Sequence, residues 1–290
     1  MSKINLIRLM GLGVLLLCGQ LAQAQAEMPP VADRAKALWS AVGPTPFAMA
    51  ANSHVAIVVP KAQEKRAQEY LTIAEKYRQT AAKAAGYATE NPWPTPLVVM
   101  VLPGKDEFGI YVRRVQKRSL ESGETSSIAI GDEQLHAGLW LRPGKTMAPA
   151  DMQVGELVAS AVAAKRIGVK NPSPDWISDG FGRATSHKLS LQPFRAFLTA
   201  DKRRANAACK TLTTQPWSDS TAGDEAEPSR NSLMYLLAYG TFSEKFPAFL
   251  GAFVPEENQE KVEVEAAMTK AGVKADSAWS TWKSWAVSWR

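Results

Sequence analysis

Two carboxylates, Glu156 and Asp179, are the residues of this chain best suited to chemistry, and both lie on segments with helical periodicity. Two carboxyl groups that face each other can differ in pKa, because the charge of one disfavours ionisation of the other. Such a pair can divide the roles of general acid and general base in a hydrolase. The simpler hypothesis is that each is solvated or paired with a basic neighbour such as Lys165, Arg166 or Arg183.

Histidine and cysteine are scarce in this chain of 290 residues, 46% of which are apolar. The three histidines are His54, His136 and His187, and the two cysteines are Cys18 and Cys209. This inventory excludes a Cys/His zinc module and a disulfide framework. Serines do occur beside both carboxylates, but neither has a histidine nearby in sequence and the chain has no G-x-S-x-G elbow, which disfavours a serine hydrolase.

The sequence around each carboxylate carries a pattern. Glu156 lies in GELVA, in the middle of a predicted helix over 150–167, and Asp179 lies in WISDG, at the start of a predicted helix over 175–188. Together they resemble the active-site segment of the gluzincin metallopeptidases, the thermolysin-like and peptidase-MA-like family. In that family H-E-x-x-H on one helix supplies two zinc ligands and a general base, and a later W-L-x-E-G-x-A segment supplies the third ligand.

The resemblance assigns a family role to four positions. Gly155 stands at the first histidine, Glu156 at the general base, Ala159 at the second histidine and Asp179 at the third ligand, with nineteen residues between Ala159 and Asp179. Because both histidines are missing, only one of the three metal-ligand positions holds a side chain that can ligate. His187 follows Asp179 by about two helical turns, roughly 12 Å, which is too far to replace a ligand. We therefore expect no metal and no other cofactor, and an inactive metallopeptidase homologue.

The predicted elements change character along the chain. Up to residue 147 helical periods alternate with short β-branched runs, and from 148 onward only helical periods occur. We expect an α+β fold with an N-terminal mixed β-sheet and helices, a C-terminal all-helical lobe, and a gluzincin-like cleft between them. The expected divisions are a signal peptide over 1–26, a sheet-bearing subdomain over 27–147 and a helical subdomain over 148–290. Strands are predicted over 53–60, 96–103, 127–130 and 138–142, with helices over 31–42, 62–85 and 105–120 in the first half.

The N-terminal segment is typical of export. Lys3 and Arg8 precede an apolar stretch over 9–18 and small-x-small cleavage motifs at 22–24 and 24–26, so we expect a secreted or periplasmic protein. The apolar stretch is near ten residues, where a spanning helix needs roughly twenty, and no later segment is long and apolar enough. No transmembrane anchor is expected after cleavage. The net charge, +6 for the whole chain, is spread rather than clustered, so nucleic acid is not an expected partner.

The resemblance also implies a binding role. In the family an edge strand before the motif helix pairs with extended peptide, and the segment 138–142, with Trp140 and Leu141, matches that position. The interpretation is an exported pseudoenzyme that binds a peptide or an envelope protein partner through Trp140, Leu141, Glu156, Trp176 and Asp179. The alternative is a peptidase-like hydrolase acting through Glu156 and Asp179.

A tryptophan stripe closes the chain. Its spacing of three, three and four residues places its members on one face of a predicted helix over 275–289, which is most simply core packing. The alternative is an exposed aromatic face that binds a glycan, a partner or a membrane interface, or that assembles a structural envelope protein. The stripe consists of Trp279, Trp282, Trp285 and Trp289.

Overall fold

A five-stranded mixed sheet forms the first half of the protein. The computed structural model describes residues 30–89, 91–131, 134–141, 147–168, 171, 173–255 and 261–289. The strand order is β1-β2-β3-β5-β4; β2, β3 and β5 are mutually parallel, and each outer strand runs antiparallel to its neighbour. The strands are β1 (Phe47–Ala51), β2 (Val55–Pro60), β3 (Leu97–Leu102), β4 (Ser126–Ile130) and β5 (Leu135–Trp140).

Helices cover both faces of this sheet. Every residue of β2 and β3 is buried, which is why both strands are continuous apolar runs rather than alternating ones. Val58 of β2 packs into a cluster with α1 and α3, whereas its neighbours Ile57 and Val59 pack into the larger cluster with α2 and α4. The four helices are α1 (Val31–Val42), α2 (Glu64–Ala84), α3 (Lys105–Arg114) and α4 (Ala150–Ile167).

The described part of the second half is helical, and it shares the larger core with the sheet. Phe181, Met234 and Trp282 belong to the same hydrophobic cluster as Ile57. The expected α+β class, with a mixed sheet followed by helices, is therefore confirmed. The remaining helices are α5 (Asp175–Leu189), α6 (Arg195–Thr211), α7 (Ala226–Tyr239), α8 (Phe246–Leu250), α9 (Val264–Lys270) and α10 (Ala275–Ala286).

The tryptophan stripe on α10 and just after it faces inward. Trp282 is fully buried and its indole Nε1 donates to Ser232 Oγ at 2.9 Å, while Trp279 and Trp285 pack half-buried against the same core. Trp289 follows the helix and packs against Trp285, with the two rings tilted and their centroids 4.8 Å apart. The prediction of core packing is confirmed. The alternative prediction, an exposed aromatic face, is wrong because the rings pack against the core and against each other.

Two further expectations need correction. Strand β1 was not expected, and α3 ends at Arg114 rather than near residue 120, because the backbone reaches a left-handed φ of 59° at Lys117. The expected signal peptide over 1–26, and Arg142 at the end of the expected strand, lie outside the described residues. Within the described ranges, no helix combines the length and the apolarity that a membrane crossing needs.

Candidate functional site

A groove of about 520 Å³ runs beside the edge strand β4, where the end of α4 meets the start of α5. The strand contributes Ser126, Ile128 and Ile130 to one wall, and the opposite wall is formed by helix residues and the turn between them. The other lining residues are Arg118, Glu121, Ser122, Glu124, Ser127, Ala164, Ile167, Gly168, Asn171, Ser173, Asp175, Ser178 and Asp179.

The backbone of β4 presents unused hydrogen-bonding groups to this groove. The Trp140 N–H donates to the carbonyl of residue 125 at 2.8 Å, which makes residue 125 a hydrogen-bonded position of the ladder. Ser127, opposite Gly138 of β5, and Ala129, opposite His136, follow at alternate positions and are hydrogen-bonded positions too. In an antiparallel ladder alternate residues turn both backbone groups toward the partner strand and the others turn theirs outward. The N–H and C=O groups of Ser126, Ile128 and Ile130 therefore point away from β5, and none has a partner among the described residues.

The expected position of the edge strand is wrong. The segment 138–140 lies in β5, between β3 and β4, with Leu102 paired to Trp140 on one side and Ser126 paired to Leu139 on the other. Trp140 also packs against the cluster formed by α1 and α3, on the sheet face opposite the groove. A neighbouring strand on both sides leaves no backbone group of this segment free, so peptide cannot add there. The edge that is open is β4.

Glu156 is held by α5 and does not line the groove. Its Oε1 accepts from Arg183 Nε at 2.5 Å and from Ser186 Oγ at 2.8 Å, and its Oε2 lies 3.3 Å from Arg183 Nη2. The Ser186 hydroxyl is also within 2.8 Å of the Tyr77 hydroxyl on α2. Only 15% of the Glu156 side chain is exposed. The simpler hypothesis, a carboxylate paired with a basic neighbour, is thus confirmed for Glu156, and of the three basic residues considered its partner is Arg183.

The positions that the resemblance assigns to histidine cannot take one. A Cβ atom on Gly155 would lie 2.5 Å from Tyr77 Cδ2, well inside van der Waals contact, and Ala159 is completely buried. Close packing also fills the space toward α5, where a Cβ on Gly182 would lie 2.6 Å from the carbonyl oxygen of Glu156. The residues present do not fit the zinc site of the resembled pattern. More generally, no three His, Cys, Asp or Glu side chains of the described ranges are grouped to hold a metal ion.

Asp179 lies apart from the Glu156 cluster and opens into the groove. No hydrogen bond or ion pair joins its carboxylate to another described residue. The groove walls strip part of its hydration although the side chain remains accessible, and this desolvation, together with the charges of Asp175, Glu156 and Glu227, raises the pKa of Asp179 to about 7. A carboxyl group with this pKa exchanges protons near neutral pH.

A buried ionic cluster extends from Arg183 that the sequence did not indicate. Asp201 of α6 accepts from His187 Nε2 at 2.8 Å and from Arg204 Nη2 at 2.7 Å, and it lies 3.5 Å from Arg183 Nη1. Burial opposes ionisation of Asp201, but the hydrogen bond from His187 and the charge of Arg183 outweigh it and lower its pKa to about 2. His187 is therefore a partner of Asp201, not of Asp179, and the cluster ties α4, α5 and α6 together.

The two remaining expected binding residues pack into the protein. Trp176 is half-buried against the larger core, with Arg230 of α7 lying 5.6 Å from its ring centroid, and Leu141 packs against the same core. Of the expected binding residues, only Asp179 lines the groove. The edge residues Ser126, Ile128 and Ile130 were missed, because a short run of serine and isoleucine gives no sign of which sheet edge it occupies.

Comparison of the chain with protein-family models and with curated proteins finds no match.

Proposed function

We propose that this protein is an exported, peptidase-like binding protein that holds an extended peptide as an additional strand on β4. The observation that carries the proposal is the row of outward backbone groups at Ser126, Ile128 and Ile130 along the wall of the groove. An edge strand with unused N–H and C=O groups is a template for pairing with another chain. Main-chain hydrogen bonds supply affinity in such complexes, and side-chain pockets supply selectivity.

The dimensions of the groove support this mode of binding. Strand β4 has five residues, which at about 3.4 Å per residue spans roughly 17 Å. A strand added at this edge lies about 4.8 Å from β4. Its side chains then alternate between the groove and the opposite face of the sheet. The lining is polar along most of its length, as suits a site that stays hydrated when empty.

Backbone chemistry of the ligand provides the direct test. A fluorescein-labelled heptapeptide of alternating threonine and serine should bind. N-methylation of every second residue should leave binding intact, because the peptide can turn its unmethylated edge toward β4, whereas N-methylation of every residue blocks both edges and should abolish binding. Binding of the fully methylated peptide would contradict strand addition.

A variant of the edge strand provides the reciprocal test. Ser126→Pro removes one outward N–H and places a ring on the edge, and the ladder with β5 remains, since that N–H takes no part in it. Binding should be lost with little change in stability, whereas the matched Ser126→Ala should bind normally. The exported location rests on the pattern over 1–26, and fractionation with N-terminal sequencing of the mature chain tests it.

A hydrolase acting through Glu156 and Asp179 is the second candidate, and the observation that favours it is the raised pKa of Asp179 in the groove. Glu156 would have to act from within its pair with Arg183 and Ser186. Incubation with a peptide library, followed by mass spectrometry, separates the two proposals. Cleavage that disappears in both Asp179→Asn and Glu156→Gln would establish the hydrolase.

A further inference from the structure

The groove beside β4 carries an excess of negative charge. Among its described lining residues four are acidic and one is basic, and that one, Arg118, is already paired with Glu124. The other three acids, Glu121, Asp175 and Asp179, have no ion-pair partner within the described ranges. The site that offers strand-pairing groups therefore also offers unneutralised carboxylates.

This charge decides between two kinds of occupant for the open edge. A second copy of β4 could pair with the first across a twofold axis, but it would bring two acidic grooves together, and juxtaposed like charges oppose association. A segment rich in acidic residues is disfavoured for the same reason. A segment with lysine or arginine complements the groove and forms charge-assisted hydrogen bonds with its carboxylates.

The pleat of the sheet determines which ligand residues can use this charge. Ser126, Ile128 and Ile130 turn their side chains toward α4, since Ile128 and Ile130 pack into the core on that face. In an added strand, the residues that lie opposite Ser126, Ile128 and Ile130 project to the same side as these three, over the groove near Asp175 and Asp179. The residues between them project toward the opposite face of the sheet.

We propose that the segment bound on β4 carries lysine or arginine at alternate positions, and that Asp179 and Asp175 receive these side chains. This inference rests on the proposed function and specifies its ligand class. Long basic side chains suit the position, because a flexible stem can extend along the groove while the cationic end remains near water and carboxylate. Arg118 stays with Glu124 and Ser127, and it marks the end of the groove near the start of β4.

The test uses the full mature chain and four labelled heptapeptides, measured by fluorescence anisotropy at low ionic strength and about pH 8, where lysine remains charged. In three of them threonine alternates with lysine, serine or glutamate. The fourth has the composition of the first, with its three lysines consecutive. The alternating lysine peptide should bind about tenfold more tightly than the serine peptide, and the glutamate peptide should bind most weakly. The consecutive isomer should bind less tightly than the alternating one, although their charges are equal.

Two charge-matched variants locate the effect. Asp175→Asn with Asp179→Asn should remove the preference for the lysine peptide over the serine peptide. Glu64→Gln with Glu69→Gln, which changes two exposed carboxylates of α2 outside the groove, should leave the preference intact. Equal weakening by both variants would overturn the inference in favour of a net-charge effect. Equal binding of the lysine and serine peptides would overturn the basic specificity alone, and the absence of binding by any peptide would overturn the proposed function as well.

Discussion

The ring of Tyr77 occupies the space in which a side chain at Gly155 would begin. An added Cβ at Gly155 would lie 2.5 Å from Tyr77 Cδ2, and the Tyr77 hydroxyl is held by Ser186, which also donates to Glu156. Tyrosine on α2 and glycine on α4 are thus complementary in shape, and their contact lets the two helices pack closely. The histidine that the resemblance would require at position 155 is excluded by this contact.

Gly155→Ala should destabilise the protein by about 1–3 kcal/mol, because it overfills a packed interface. This sign is diagnostic, since replacing glycine by alanine inside a helix otherwise stabilises by up to about 1 kcal/mol. Gly109→Ala in α3 is the matched control, because its new Cβ would meet only the end of the exposed Arg113 side chain, at 3.2 Å. Urea unfolding of both variants checks this, and a stabilised Gly155→Ala protein would contradict the contact.

Glu156→Gln should lower the free energy of unfolding by about 3 kcal/mol, the lower end of the cost of breaking a buried ion pair. The reason is that Arg183, only 13% exposed, would keep its charge and lose its closest carboxylate. Glu64→Gln, which removes an exposed partner of Lys61, should change the same quantity by no more than about 0.5 kcal/mol. Similar effects of the two substitutions in urea titrations would show that the buried Glu156–Arg183 pair stabilises the fold no more than an exposed pair does.

Asp179→Asn should raise the melting temperature above neutral pH and have little effect near pH 4. The folded-state pKa of Asp179, about 7, lies above the value of about 3.9 expected in the unfolded chain. Folding therefore takes up a proton between these values, and wild-type stability falls as pH rises through this window. Asparagine does not titrate, so the difference between the variant and the wild type should grow from pH 4 to pH 7. Thermal melts across this range measure it, and a constant difference would refute the assignment.

The affinity for the alternating lysine peptide should rise between pH 6 and pH 8. Lysine remains protonated throughout, whereas Asp179 ionises near 7 and becomes a better partner for a cation. The charges that also act on Asp179 are those of Asp175 on its own helix, Glu156 on α4, Glu227 on α7 and Glu124 before β4. Anisotropy titrations of the Asp179→Asn variant should show no rise in affinity between pH 6 and pH 8. A rise in this variant would show that one of the neighbouring groups, not Asp179, causes the pH dependence.

Trp140→Asp should reduce stability without altering peptide affinity per folded molecule. Trp140 lies in an internal strand and packs against the α1 and α3 face, so the substitution places a charge beside apolar neighbours on the sheet face opposite the groove. Circular dichroism melts measure the first effect, and anisotropy below the melting temperature measures the second. If a stably folded Trp140→Asp protein lost peptide binding, the peptide would have to bind at β5 rather than at β4.

Much of the secondary structure followed from the sequence, because burial imposes a period on each element. Helices α1, α2, α4 and α5 begin and end close to their predicted bounds, and β2 and β3 were visible as apolar runs. Elements whose burial produces a weaker pattern in the sequence were predicted less accurately. Strand β1, with its alanine-rich FAMAA sequence, was missed, and α3 was predicted several residues too long.

Only some of the contacts around Glu156 and Asp179 could be predicted from the sequence. Glu156 and Asp179 were singled out by the resembled motif, and Arg183 was one of three basic residues, with Lys165 and Arg166, proposed as a partner. Tyr77 and Asp201 were not anticipated, because the contacts they make depend on how separate helices pack. Tyr77 meets Ser186 across 109 positions in the chain, and no local pattern encodes such an approach.

The sequence by itself determined the period of each main element, the absence of two histidines from the resembled motif and the charge of each side chain. Tertiary structure decided the order of strands, and therefore that β4 rather than β5 is the open edge. It also decided that Glu156 faces Arg183 while Asp179 faces a groove. The physical reason is that a periodic pattern states which face of an element is buried, whereas the partner that buries it is chosen by the packing of the whole chain.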